Sequence, residues 1–225
     1  MTFDPSSRAR LSERDLPRFT GDSLFHRVAR VLSRASCLPR KELFEAWEVA
    51  RRARRRFRGG RVVDLACGHG LVAHLMLLLD DTSGAALAVD RRLPASAERL
   101  SRALVAEWPR LAGRVALVEG AIADTALDRG DLVVSAHACG PLTDEVLGRA
   151  MAASARVVVL PCCHSTGRCD LGGVEGWLDP ALAIDVTRVA RLRAAGYRVH
   201  TQQIPLAITP KNRLILAEPP SAPIC

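Results

Sequence analysis

Short apolar runs alternate with helical segments from Arg61 onward, and this alternation constrains the fold more than any other feature of the chain. The predicted strands cover residues 61–66, 86–90, 114–118, 131–136 and 156–160, and the predicted helices between them cover 71–79, 94–108, 124–129 and 144–153. Near-continuous apolar strands separated by helices are typical of a parallel sheet covered on both faces. The sequence therefore predicts a doubly wound α/β domain.

The tail of the chain departs from this alternation. A predicted helix over residues 182–195 ends at Gly196 and leads to a strand over 197–204, and a short connection containing Pro210 precedes a strand over 213–217. Two strands joined without an intervening helix form an antiparallel pair. We therefore expect a seven-stranded sheet whose last strand is antiparallel.

Two amphipathic helices are predicted before the first strand, over residues 23–34 and 41–57, and Gly59-Gly60 ends the second. The first twenty residues are polar and are expected to form a loose lead-in. We divide the chain into an N-terminal helical extension, residues 1–58, and one ligand-binding domain, residues 59–225.

A glycine-containing turn follows the first predicted strand, in the stretch VVDLACGHGL of residues 62–71. Gly68 and Gly70 lie where the strand turns into a helix, and glycine there lets the backbone approach a ligand closely. Asp90 ends the next predicted strand, where its carboxylate can accept hydrogen bonds from ribose hydroxyls. The combination predicts a nucleoside-containing cofactor.

Asp64 discriminates between the possible cofactors. A dinucleotide pyrophosphate lies over the helix N-terminus, and an acid just before that turn would repel it. The amino-acid end of S-adenosylmethionine carries an ammonium group and a sulfonium, which an acid favours. The alternatives are that Asp64 only caps the loop, or that Gly68, Gly70 and Ala73 form a loose dinucleotide fingerprint of an oxidoreductase.

The pattern D-x-x-C-G-x-G of residues 64–70 resembles the first motif of class I methyltransferases. Segments 137–144, 160–164 and 209–216 are similar to a subfamily that includes the eukaryotic tRNA acceptor-stem 2′-O-methyltransferase and related methyltransferase-like proteins. The resemblance implies a Rossmann-like class I sheet with S-adenosylmethionine as cofactor. The implied cofactor-binding residues are Asp64, Ala66, Cys67, Gly68, His69, Gly70, Asp90, Arg91, Ala123, Asp124 and Ala136.

Unusual polar clusters follow the fourth and fifth predicted strands, where open α/β sheets bind ligands. His137 is the expected base, because imidazole titrates near neutrality; alternatively it only stabilises the turn at Cys139. The candidate catalytic residues are His137, Cys139, Asp144, Cys162 and His164.

The cysteines in these clusters admit several interpretations. Cys162, Cys163, His164 and Cys169 suggest a zinc site, but we expect no metal, because adjacent cysteines rarely bind one tetrahedral ion together and no C-x-x-C partner is present. Cys139 or Cys162 could add to a pyrimidine before methylation at carbon. Otherwise the thiols are small, partly buried walls of a pocket.

The formal net charge of +8 permits a polyanionic partner. We predict that RNA phosphates contact the arginine cluster on the second helix, beside the active site. That cluster comprises Arg51, Arg52, Arg54, Arg55 and Arg58. The alternative is a solvated helix face in an arginine-rich chain. An RNA hydroxyl is the expected methyl acceptor; the alternatives are a small-molecule or protein methyltransferase, and a non-catalytic RNA-binding module.

No apolar run approaches the roughly 18–20 residues of a membrane span. Residues 1–10 also lack the apolar centre of a signal peptide. We therefore expect a cytoplasmic protein that makes no membrane contact.

Overall fold

Seven strands and six α-helices make up the computed structural model, which describes residues 4–220. The strands are β1 (Val62–Leu65), β2 (Ala86–Asp90), β3 (Val115–Glu119), β4 (Leu132–Ser135), β5 (Arg156–Val159), β6 (Arg198–Gln203) and β7 (Arg213–Glu218). The helices are α1 (Leu24–Ala35), α2 (Arg40–Arg56), α3 (Leu71–Leu79), α4 (Ala97–Glu107), α5 (Pro141–Ala152) and α6 (Pro180–Ala194).

All seven strands form one sheet in the order β3-β2-β1-β4-β5-β7-β6. The first five pair in parallel, and β7 is antiparallel to both of its neighbours, β5 and β6. The predicted doubly wound sheet with an antiparallel last strand is therefore confirmed. Within residues 4–220, no helix is both long and apolar enough to cross a bilayer.

Each face of the sheet is covered by helices, because successive residues of a strand point to opposite faces. Val62 of β1 and Val134 of β4 belong to the apolar core that contains α1 to α4. Val63 and Val133, one residue away, belong to the core on the face of α5 and α6. Residues of α2 and of the sheet share one core, so the predicted boundary after residue 58 separates elements that pack against each other. The division into an extension and a domain stays a prediction.

One predicted helix is wrong. Residues 124–129 contain no α-helix, and only a one-turn 3-10 helix, Ile122–Asp124, precedes them. The Asp131 carboxylate accepts a hydrogen bond from the backbone N–H of Asp128 at 2.8 Å and binds Arg61 at 2.7 Å. Such local side-chain bonds compete with helix formation, so the segment forms an irregular connection to β4.

The lead-in is also more ordered than expected. A 3-10 helix, Glu13–Arg18, follows Leu11, and Leu11 and Phe19 are buried in the core. The backbone N–H of Leu11 donates to the carbonyl of Leu38 at 3.0 Å. Burial of these two side chains, backbone hydrogen bonds to the segment before α2 and an ion pair between Asp15 and Arg40 hold the lead-in against α1 and α2.

Candidate functional site

The turn between β1 and α3 contains three residues in the left-handed region of backbone conformation. Ala66, Gly68 and Gly70 all have positive φ, at 54°, 55° and 72°. A Cβ atom on Gly70 would lie 2.7 Å from Cδ2 of Leu117 in β3. The backbone of this turn is therefore drawn against the sheet, at the carboxyl end of β1.

Asp90 connects this turn to the end of β2. Its Oδ2 accepts a hydrogen bond from the backbone N–H of Gly68 at 2.9 Å, and its Oδ1 accepts one from the N–H of Arg92 at 3.3 Å. A carboxylate oxygen has more than one lone pair. Both oxygens therefore keep capacity for ligand hydroxyls.

A cavity of about 580 Å³ opens beside Asp90, at the carboxyl ends of the parallel strands. Five predicted site residues line it, namely Ala66, Asp90, Arg91, Ala123 and Cys139. Leu142, Glu145 and Arg168 line it as well and were not predicted. Of the other predicted cofactor residues, Cys67 and Ala136 are buried and Asp124 is exposed.

Asp64 lies beneath the turn rather than in the cavity wall. Its side chain is buried, and Oδ2 accepts a hydrogen bond from the N–H of Ala73 at 3.3 Å, while Oδ1 has no partner. Burial, reinforced by the charges of Asp90 and Glu42, raises the pKa of Asp64 to about 8. In this state Asp64 stabilises the turn, and its contact with a ligand stays a prediction.

Glu42, on the first turn of α2, joins the site from outside the sheet, and sequence reasoning missed it. Its Oε1 lies 2.8 Å from Nδ1 of His69 and 3.8 Å from Nε2 of His137. Burial raises the pKa of Glu42, but the hydrogen bond to His69 and the two imidazole charges outweigh it and hold the pKa below its usual value. An acid in the first turn of a helix is commonplace, so the sequence carries no signal for this contact.

His137 lies against the glycine turn. Its Cδ2 would be 3.6 Å from a Cβ on Gly68, and its side chain is 30% exposed. An imidazole that is partly open to solvent beside the turn can exchange a proton. The position is compatible with a base, and that role stays a prediction.

Two other candidate catalytic residues, His164 and Asp144, belong to an ion network behind the cavity. Nε2 of His164 lies 2.8 Å from Asp185 on α6, and its side chain is buried. Asp144 binds the buried guanidinium of Arg188 at 2.8 Å, which in turn binds Asp185 at 3.2 Å. These contacts hold the loop after β5 and the start of α5 to α6.

The thiols of Cys139, Cys162 and Cys163 converge at the ends of β4 and β5, with their Sγ atoms within 4.8 Å of one another. Cys139 and Cys162 are 2.8 Å apart. Burial raises the pKa of both thiols. The prediction of no metal concerned the segment from Cys162 to Cys169, and the structure adds the thiol of Cys139 from the end of another strand.

The arginine cluster lies along the C-terminal half of α2 and just beyond it, and its contact with RNA beside the active site stays a prediction. Arg54 is buried against Asp80 at 3.0 Å, and Arg58 donates to the carbonyl of Leu79, at the end of α3. Arg51 and Arg52 pair with Glu48, and Arg55 is exposed. Arg54 is therefore excluded as a phosphate contact.

Solved methyltransferase structures share this fold. An O-methyltransferase family protein from Burkholderia thailandensis matches with a TM-score of 0.54 and 18% identity, over 94% of this chain and 64% of its own. The precorrin-6y C5,15-methyltransferase from Geobacter metallireducens matches with a TM-score of 0.50 and 15% identity, over 78% and 87%. The m1A22 tRNA methyltransferase from B. subtilis matches with a TM-score of 0.50 and 14% identity, over 77% and 66%.

This chain therefore spans just under two thirds of the Burkholderia and Bacillus structures, and the likeness shows the fold alone. No protein of curated function matches the sequence. A family model described as a methyltransferase domain matches residues 42–168, from Glu42 through the glycine turn, Asp90 and the cysteine loops to Arg168. That match covers more than half of the chain and contains nearly every residue of the cavity wall, and the protein belongs to this methyltransferase-domain family.

Proposed function

We propose that the protein transfers a methyl group from S-adenosylmethionine to a hydroxyl group of RNA. The observation that carries the cofactor assignment is the position of Asp90, in the cavity wall and hydrogen-bonded to Gly68 of the turn. A carboxylate held there presents acceptor oxygens for ribose hydroxyls, while Ala66 and Ala123 provide small apolar walls for the rest of the nucleoside.

The residues present fit this cofactor in a second respect. The buried Oδ1 of Asp64 has no hydrogen-bond partner, and a buried polar atom without a partner is costly unless a ligand satisfies it. The ammonium group of the cofactor would supply a donor. When bound, S-adenosylmethionine supplies an electrophilic methyl group, so that alignment of the acceptor accounts for much of the acceleration.

His137 is the proposed base for the proton of the acceptor hydroxyl, and we propose that Glu42 on α2 helps to position it. The acceptor proposal rests on the resemblance of the strand-end motifs and on two exposed cations in the cavity wall, Arg91 and Arg168. Both line the cavity, whereas Arg54 of the arginine cluster is buried, so we expect Arg91 and Arg168 to make the phosphate contacts nearest the acceptor.

The first experiment is calorimetric titration of the purified protein with S-adenosylmethionine and, separately, with NAD. We expect saturable binding of S-adenosylmethionine alone. Asp90→Ala should weaken it by about 10–100-fold, which corresponds to the loss of a charged hydrogen-bond acceptor of roughly 1.5–3 kcal/mol. The matched control is Asp128→Ala, which removes an exposed carboxylate before β4, at the amino ends of the parallel strands.

Two outcomes would contradict the cofactor assignment: binding of NAD instead, or unchanged affinity in a folded Asp90→Ala variant. For the acceptor, total RNA is incubated with methyl-labelled S-adenosylmethionine and digested to nucleosides. Label in a ribose-methylated nucleoside supports the proposal. Label recovered only in protein or small molecules would sink it.

A further inference from the structure

Three thiols from two different strands meet beside the cavity. Cys139 follows β4, and Cys162 and Cys163 follow β5, its parallel neighbour in the sheet. Their Sγ atoms all lie within 4.8 Å of one another, and those of Cys139 and Cys162 are 2.8 Å apart. Within residues 4–220, no other group of three or more His, Cys, Asp or Glu side chains approaches this closely.

The backbone brings the two loops together independently of any ligand. The N–H of Gly140 donates to the carbonyl of Cys163 at 3.1 Å, and the N–H of Leu160 donates to the carbonyl of Ser135 at 2.9 Å. These hydrogen bonds continue the pairing of β4 and β5 into the loops. The three thiols are therefore prearranged, as a site for an ion requires.

We propose that Cys139, Cys162 and Cys163 bind one thiophilic metal ion, with Zn²⁺ as its divalent representative. Thiolate ligands select soft or borderline ions such as Zn²⁺ over Mg²⁺ or Ca²⁺. Zn–S bonds of about 2.3 Å in a tetrahedron separate two sulfurs by about 3.8 Å, a spacing that lies between the 2.8 Å pair and the 4.8 Å limit. Small rotations of the side chains are sufficient to reach it.

Binding is balanced by proton release. Three metal–sulfur bonds form, three S–H bonds break, and the protons pass to solvent. Three protein ligands leave a fourth position, which a closed structural site would fill and an open one leaves to water or substrate. Because Cys139 lies in the cavity wall, the ion would stand beside the proposed acceptor site.

The test uses the full chain, reduced with a phosphine and kept under anaerobic conditions, with Co²⁺ as the spectroscopic probe. One equivalent of Co²⁺ should produce thiolate-to-cobalt charge transfer and the strong visible bands of a tetrahedral ion, and Zn²⁺ should bleach them. In parallel, Zn²⁺ should protect three of the seven cysteines from alkylation, counted by mass spectrometry.

Cys139→Ser and Cys163→Ser each remove an exposed thiol and should leave the circular dichroism spectrum unchanged. Each should lose the charge-transfer band and bind Zn²⁺ at least about tenfold more weakly. Cys37→Ala, which removes a buried thiol outside the trio, should keep both.

The proposal is overturned if the reduced wild-type chain shows no charge-transfer band, if the band survives in both serine variants, or if Cys37→Ala alone abolishes it. It is also overturned if Cys139 and Cys162 form a disulfide and, once reduced, bind no Co²⁺. None of these readouts uses S-adenosylmethionine or RNA, so they succeed or fail independently of the proposed function.

Discussion

At the scale of single residues, burial decides what an acidic side chain does in this site. Asp64 lies one residue before the end of β1 and Asp90 ends the neighbouring β2, and both look like cofactor ligands in the sequence. Asp90 opens into the cavity, whereas Asp64 is shielded from water and accepts a bond from α3. The same functional group therefore serves as an accessible acceptor at position 90 and, in the ligand-free protein, as a support of the turn at position 64.

The raised pKa of Asp64 makes the stability of the ligand-free protein depend on pH. Its folded value of about 8 lies above the ordinary 3.8, so the protonated form is favoured by folding. That contribution is fully present below about pH 4 and is lost as the pH rises through 8. Urea unfolding should show wild type losing roughly 1.4 kcal/mol per pH unit relative to Asp64→Asn between pH 5 and 8, and little more above the folded pKa. Parallel curves for the two proteins would contradict the assignment.

Glu42 is proposed to be a positioning residue for His137. Glu42→Gln keeps the size of the side chain and removes its charge, so we expect a folded protein that binds S-adenosylmethionine within about threefold of wild type. Methyl transfer should fall by about 10–100-fold. The loss should fall on kcat rather than on the KM for S-adenosylmethionine, because the carboxylate contacts His69 and His137.

Glu45→Gln is the control for this variant, since Glu45 lies on the same helix but pairs with Lys41 at 3.0 Å. Its kcat should match that of wild type. A folded Glu42→Gln enzyme with an unchanged kcat would exclude the positioning role.

At the scale of elements, the turn after β1 depends on two glycines for different reasons. Gly68 needs only its positive φ, because the nearest atom to a Cβ there would be 3.6 Å away. Gly70 needs both its positive φ and the absence of a Cβ, because Leu117 is 2.7 Å away. The motif thus combines one conformational requirement with one of close packing.

We therefore expect graded effects from alanine. Gly68→Ala should lower the free energy of unfolding by about 1–2 kcal/mol through backbone strain. Gly70→Ala should lower it further and weaken S-adenosylmethionine binding, because Leu117 must move. Gly148→Ala, in α5 with open space around its Cβ position, should instead stabilise by about 1 kcal/mol. Thermal and urea unfolding measure all three; equal losses at positions 68 and 70 would contradict the packing argument.

At the scale of the whole molecule, α2 runs from the carboxyl ends of the parallel strands to their amino ends. Its first turn brings Glu42 to the cavity, and twelve residues later Arg54 binds Asp80 and the carbonyl of Met76, at the far end of α3. A helix rises about 1.5 Å per residue, so the two sites are about 18 Å apart. Arg51, Arg52 and Arg54 of the cluster form ion pairs with acidic side chains of the protein itself.

RNA binding should therefore respond to the cavity arginines and not to α2. Arg91→Ala and Arg168→Ala should each weaken RNA affinity and reduce the slope of its salt dependence by about 1. Arg51→Ala and Arg55→Ala should leave both quantities unchanged. Filter binding over a series of salt concentrations measures both quantities. A loss of RNA affinity confined to the Arg51 and Arg55 variants would show that the arginine cluster contacts the RNA.

Local patterns in the sequence were enough to predict the strands, the sheet type and the glycine turn with Asp90. Apolar periodicity and glycine positions reflect requirements that each segment carries by itself. The positions of Glu42 and the arginine cluster depend on where α2 packs, which no local pattern encodes. The convergence of Cys139 with Cys162 and Cys163 likewise depends on β4 and β5 being neighbours. Contacts between residues far apart in sequence are created by packing, and only the tertiary structure decided them.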